Sequence, residues 1–380
     1  MLPVKVKLKE QVLSVSTFSN GSLCCTTIGK VYGWGINQKE RIGIQTSQLQ
    51  NPSPVHIAIP HQIVKVSCGQ YHSLILTNAG QVLGVGQNKN GEIGIDKPKQ
   101  VSQFTLVPFP SQEVRILEIE AGFAVSLFID DQRQLWSTGK KSLNAQKTEV
   151  NTPTLIKMFG KHQSQENQVN EEEKVTCQNS KNCGVQMINC GYNHVGCVTM
   201  DGSLYMWGNN QNSKLGIGSK KEYIEKPTKV QYFQDQNLKV SQISCSMGER
   251  HGHTGCVTSE GRVFMWGDPY KGKLGNLKTG WTHEKEDNKD VELPFELDQS
   301  YIGPAKKVVC SGIHSAIVSQ DGKLFTFGCG SDGRLGHPEY EGYVYLYKES
   351  APKLVQAFEG NVVSDYVASY YQNYAIVISQ

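Results

Sequence analysis

The stretch VYGWGINQKERIG, Val31 to Gly43, sets Trp34 and Gly35 eight residues ahead of a second glycine, Gly43, with a polar segment between. Five more glycines keep the register of Gly35, at Gly86, Gly139, Gly208, Gly267 and Gly328, at intervals of 51, 53, 69, 59 and 61 residues. All but Gly139 are followed eight residues on by another glycine, Gly43, Gly94, Gly216, Gly275 or Gly336, always after Ile or Leu. Six residues upstream lies a further glycine in five copies, Gly29, Gly80, Gly202, Gly261 and Gly322, with Arg133 as the exception. One unit is therefore written six times.

Between these anchors the apolar residues alternate, as in HSLILTNAGQVLGVG (His72 to Gly86) and AIVSQDGKLFTFG (Ala316 to Gly328). A period of two predicts strands. Asp201-Gly202, Glu260-Gly261 and Asp321-Gly322 fall where two strands must reverse, since glycine accepts the positive φ of a tight hairpin. An alternating segment precedes each hairpin, such as Val64 to Cys68 or Val308 to Cys310. Another segment precedes that one, opening at Pro54, Pro153, Pro227, Pro294 and Pro352, with Val107 in the second copy. About four short strands per copy predict blades arrayed about an axis, because radial stacking buries both faces of each small sheet. Trp34, Trp207, Trp266 and Phe327 are expected to fill the space between blades.

The unit length, HSLILT, the DGxLxxWG pattern and the trailing LG together resemble the repeat of the regulator of chromosome condensation (RCC1) family. The resemblance covers almost the whole chain and implies an all-β, seven-bladed RCC1-like β-propeller, one domain over residues 1–380. Since Pro3 lies 51 residues before Pro54, the N-terminal strands are expected to close the ring with the C-terminal one, leaving a last blade one strand short.

Lys plus Arg exceed Asp plus Glu by three, which calls for no nucleic acid partner. The N-terminus alternates apolar and basic residues and shows neither a secretory signal nor a transit peptide. No run of eighteen apolar residues exists to span a membrane. The expected placement is cytosol or nucleus, not secreted, with cytoskeleton or cilium as the finer expectation. Asn20-Gly-Ser22 matches a glycosylation sequon and reads here as an ordinary turn.

Eleven cysteines, an odd count, argue against a disulfide framework. Cys68, Cys190, Cys245 and Cys310 end equivalent strands, and Cys24, Cys197 and Cys256 take the place of Ile75 and Ile317, so these seven are assigned to core packing. Cys177 and Cys183 lack a second ligand pair, which disfavours zinc. His72, His194, His253 and His314 recur thirteen residues before the Trp-type position, a structural signature expected to bridge loops through both ring nitrogens. GCGSDG (Gly328 to Gly333) satisfies GxGxxG by letter but opens no helix. No GxSxG, phosphate-binding loop or HExxH occurs. No catalytic, cofactor-binding or metal residue is assigned, and no cofactor.

What varies between copies points to partners, since rigid scaffolds carry function on loops. The polar insertions are residues 161–183 and 276–293, and the fifth copy carries GERHGH (Gly248 to His253). Candidate partner contacts are Arg250, His251, Trp281, His283, Tyr340, Tyr343 and Tyr345. Two functions are weighed. One is a non-enzymatic protein–protein interaction scaffold within a larger assembly, cytoskeletal or ciliary, docking through its insertions. The other, implied by the resemblance, is a guanine-nucleotide exchange factor for a Ran-like small GTPase, with residues 161–183 as the wedge.

Overall fold

The computed structural model describes residues 2–45, 48–159, 184–276, 289–338 and 348–378. The alternating segments form six four-stranded antiparallel sheets, residues 12–57, 63–106, 116–155, 185–229, 240–296 and 305–354, followed by a two-stranded sheet, residues 362–378. In the first blade β1 (Val12–Phe18), β2 (Gly21–Thr26), β3 (Val31–Ile36) and β4 (Gln50–Ile57) pair in that order. The first strands of neighbouring blades pack on one another, so they line the axis and each blade runs outward. Four therefore open on the cysteine-ended segment, the first and third blades ending it on Phe18 and Ala121, and all but the second close on a proline-led strand. The prolines sit in outermost strands, where a missing N–H costs least. In the second blade that slot belongs to Phe104, one residue before the partner of Gly84, and not to Val107.

The seven-bladed ring expected from the sequence is corrected to six blades and a two-stranded sheet. That sheet pairs β25 (Val362–Ala368) with β26 (Asn373–Ile378), both C-terminal. Residues 2–10 form no strand, and β1 belongs to the first blade. The physical reason lies in the strand order. A proline-led segment hydrogen-bonds only to a third strand, and none stands between β26 and Pro3 among the described residues. Closure runs instead through side chains. Trp34 Nε1 donates to Tyr374 Oη at 2.8 Å with the rings edge to face, and Ser369 Oγ donates to the Ser19 carbonyl at 2.8 Å.

Why the repeat ends in glycine twice is visible at the seams. Gly86 and Gly208 have φ of +107° and +102°, and a Cβ on them would lie 2.4 and 2.8 Å from the carbonyl oxygens of Tyr71 and Asn193, where the hairpin begins. The trailing glycine meets the next blade: a Cβ on Gly216 (φ +66°) would stand 2.7 Å from Trp266 Nε1. Trp266, fully buried, lies there and donates to the Lys214 carbonyl at 2.9 Å, while Trp207 donates to that of Leu143 at 2.7 Å. The aromatic thus occupies the space a side chain would take.

All seven cysteines assigned to packing are buried. Burial pushes the thiols of Cys24 and Cys310 up to about 12, which keeps them un-ionised and inert. Cys177 and Cys183 lie outside the described residues.

Gly216→Val is expected to cost about 2–4 kcal/mol, a clash added to a disfavoured φ. Gly303→Ala, also at positive φ but with nothing within 4 Å, is expected to cost about 1 kcal/mol. Urea denaturation of the two variants checks the difference.

Candidate functional site

In an antiparallel blade the first-to-second and third-to-fourth connections emerge on one face, and the remaining connections on the other. GERHGH joins β17 (Val240–Cys245) to β18 (His253–Thr258) on the first face, and the ends of residues 277–288, set by β19 (Val263–Gly267) and β20 (Val291–Glu296), are on the same face. The ends of residues 160–183, set by β12 (Val150–Leu155) and β13 (Val185–Cys190), are on the opposite one. The two insertions therefore do not share a rim. The second insertion stops short of its expected boundary, because Val291 already belongs to β20.

On the first face the third strand of every blade but the third leaves into a tight turn that tucks a charged residue inward, just before the trailing Ile-Gly or Leu-Gly. Arg41, Glu92, Lys214, Lys273 and Arg334 hold this slot and are all buried, Lys273 completely. The sequence shows the signal in plain form, as ERIG, GEIG, SKLG, GKLG and GRLG. Its burial is not legible there, because charge beside a turn usually lies on a solvated surface. The main chain of these residues carries the seam. Ser126, Thr254 and Ser315 of the following blades donate to the carbonyls of Glu92, Lys214 and Lys273 at 2.6, 2.6 and 2.8 Å.

The recurrent histidines complete the same chain. His72, His194 and His253 each place Nε2 2.8 to 3.0 Å from the hydroxyl of Ser126, Thr254 or Ser315, and His314 reaches Asn373 Oδ1 at 2.9 Å. Their Nδ1 atoms have no partner, so one ring nitrogen bridges blades and not two. Burial lowers His72 and His314 to about 3. These imidazoles are neutral and sealed from solvent.

The fifth blade departs from its neighbours. Asp268 places Oδ1 2.8 Å from Lys273 Nζ and Oδ2 2.8 Å from His251 Nδ1, and the Tyr270 amide donates to Oδ1 at 2.6 Å. The His251 ring stacks on Tyr270, centroids 4.4 Å apart and planes 17° off parallel. Burial works against the Asp268 charge, yet Lys273 and His251 hold the carboxyl below its ordinary value. Burial also pushes Lys273 and Lys214 down to about 8, with Asp268 opposing. A buried ion pair thus pins a half-exposed histidine and a stacked tyrosine, and the exposed Arg250 precedes the histidine in the chain. Of the expected contacts the structure places Arg250 and His251 here. Trp281, His283, Tyr340, Tyr343 and Tyr345 lie outside the described residues.

The first strands carry a second polar set. Lys65 pairs with Glu118, Lys307 Nζ lies 2.6 Å from Asp365 Oδ1, and Asn189 Nδ2 donates to Glu120 Oε1 at 3.1 Å. Burial pushes Glu120 up to about 7 despite Lys65. Among the described residues no cluster of His, Cys, Asp and Glu has metal-binding geometry, and no helix is long and apolar enough to cross a membrane.

Comparison with known proteins matches this arrangement to one family. The model of the RCC1-like domain fits residues 1–371, and the chain belongs to that family. It is 26% identical over 352 residues to the Arabidopsis thaliana ultraviolet-B receptor UVR8, covering 91% of this chain and 70% of the receptor. The X-linked retinitis pigmentosa GTPase regulator homolog of Caenorhabditis elegans is 26% identical over 306 residues, which is 74% of this chain and 21% of that protein. The chain spans only 6% of human E3 ubiquitin-protein ligase HERC2, at 26% identity over 320 residues that cover 81% of this chain. Among solved structures, Saccharomyces cerevisiae Prp20p superposes with a TM-score of 0.74 at 20% identity over 95% of this chain and 81% of that one. Its structure was described together with its binding to Gsp1p and histones.

Asp268→Asn strands the Lys273 ammonium and is expected to cost about 3–5 kcal/mol. Adding Lys273→Met should restore most of that loss, a comparison that chemical denaturation reads directly. For Glu120 the folded chain holds its proton more tightly than the unfolded one, whose value is 4.5. Stability therefore declines as pH climbs from 4.5 to about 7 and is level above. Glu120→Gln should raise Tm at alkaline pH, with the gap closing as the medium is acidified.

Proposed function

We infer that the chain is a non-enzymatic interaction module whose partner docks on the face carrying Arg250, His251 and Tyr270. The observation behind this reading is the buried Asp268–Lys273 pair, which fixes a histidine–tyrosine stack at the surface. That stack is presented without the ordering cost a free loop would incur, and Tyr and Arg are favoured interface anchors. Membership of a larger cytoskeletal or ciliary assembly is the setting proposed for it, carried over from the sequence.

A second reading, exchange activity on a Ran-like GTPase, is favoured by the likeness to Prp20p, reported with Gsp1p, and by a relative named as a GTPase regulator. The two readings use different faces. The strands that flank the proposed wedge, residues 161–183, end on the face opposite Arg250.

Arg250→Glu, at an exposed position, should release a partner co-purified from native extract by at least about tenfold, about 1.4 kcal/mol, without moving Tm. Unchanged capture would remove the docking face. Faster loss of fluorescent GDP from a Ran-type GTPase, abolished by deleting residues 161–183, would establish exchange instead.

A further inference from the structure

The two-stranded sheet leaves a groove of about 730 Å³ between the sixth blade and the first. Its floor is the free edge of β26, whose residues 373–378 are half-buried or exposed, whereas the second strands of all six blades are buried throughout. Leu324, Leu335 and Val355 wall it on one side, Val15 and Trp34 on the other. Exposed apolar side chains gather here, among them Leu2, Val4, Tyr371 and Val377. A long apolar edge without a partner is a template for another strand.

The outer wall shows what the groove is shaped for. In the second blade a Cβ on Gly94 would meet Val107 at 2.9 Å and Pro153, in the outermost strand of the third blade, at 3.2 Å. A Cβ on Gly336 would likewise meet Val355 at 3.3 Å and Pro3 at 3.5 Å. Pro3 thus stands where an outermost strand belongs, and the place one strand inward, beside β26, holds no chain among the described residues.

We propose that this groove is a strand-addition site for an extended segment of a partner protein, of the form Val/Leu-aromatic-x-Trp/Phe-Gly, flanked by acidic residues. The pattern follows from register. Gln372 takes the position of His72, which faces Gly86, and Asn373 that of Ser73, which faces the Trp-type position, as the contact from His314 to Asn373 also marks. Glycine in the segment then lies opposite Gln372 and its large aromatic opposite Asn373. That ring and the aromatic two residues earlier, opposite Ala375, point toward Gly336 of the sixth blade, as Trp266 does toward Gly216, while the residue between them lies beside Tyr374 on the side of Trp34. The chain's own third strands, VYGWG, LYMWG, VFMWG and LFTFG, obey this rule. The acidic flanks follow from charge. Lys5, Lys7 and Lys9 stand exposed along the outer segment, and its carboxylate, Glu10, is taken by Lys30 at 2.7 Å. Main-chain pairing would supply affinity, and the alternating side chains specificity. The site is independent of the loop face argued above.

The test uses the whole chain and a fluorescein-labelled peptide, Asp-Asp-Leu-Tyr-Met-Trp-Gly-Asp-Asp, followed by anisotropy. Saturable binding is expected, lost when alternate peptide amides are N-methylated. It should weaken at least about tenfold with Lys5→Glu, Lys7→Glu and Lys9→Glu combined, all exposed positions. Absence of binding overturns the proposal, as does equal binding of a permuted or N-methylated peptide. A dimer in sedimentation that the peptide fails to dissociate would also overturn it, by making a second copy the occupant.

Discussion

The structure depends on the contact between an aromatic ring and a residue with no side chain. At the seam between the fourth and fifth blades Trp266 lies over Gly216 and hands its N–H to the neighbouring Lys214 carbonyl. A sheet of four strands cannot shield both of its faces. This contact lets the next sheet approach closely enough to do so, and it supplies a hydrogen bond that fixes the angle of approach. Protein interiors are close-packed, so the spacing of the whole ring is set by how near the main chain of one blade can come to the indole or phenyl ring of the next.

Much of this was legible in the linear chain, for a definite reason. Glycines that must hold positive φ or admit a neighbour's ring cannot be exchanged, so Gly35, Gly86 and Gly208 mark the register however far the rest drifts. The alternation in His72 to Gly86 survives because every second residue faces a core. The blade boundary was not legible. A run of strands reads alike wherever the count begins, and only pairing reveals that Pro54 closes a blade. The same ambiguity produced the seventh blade. Pro3 does carry the mark of an outermost strand and stands in its place, but hydrogen bonding requires an inner neighbour that the adjacent sheet lacks.

The site was legible only in part, because its determinants are relations between blades. GERHGH stood out as an irregular loop, yet nothing local to it announces Asp268, seventeen residues on from His251. The buried charges before each Leu-Gly were written openly, and their burial is a property of the turn that follows the third strand. Nor does spacing tell which face an insertion leaves by. That requires strand direction, which separates residues 160–183 from 277–288.

The buried histidines carry one more consequence. Each is neutral in the folded ring and lies far below the ordinary value of 6.5, whereas in the open chain it takes up a proton near that value. Acid therefore favours the open chain, by about 1.4 kcal/mol per histidine for each pH unit below that value. Four such residues span four of the five junctions from the second blade to the two-stranded sheet, all but that between the third and fourth blades. A mildly acidic compartment would loosen most of the circle at once, making the intact assembly a reporter of neutral surroundings.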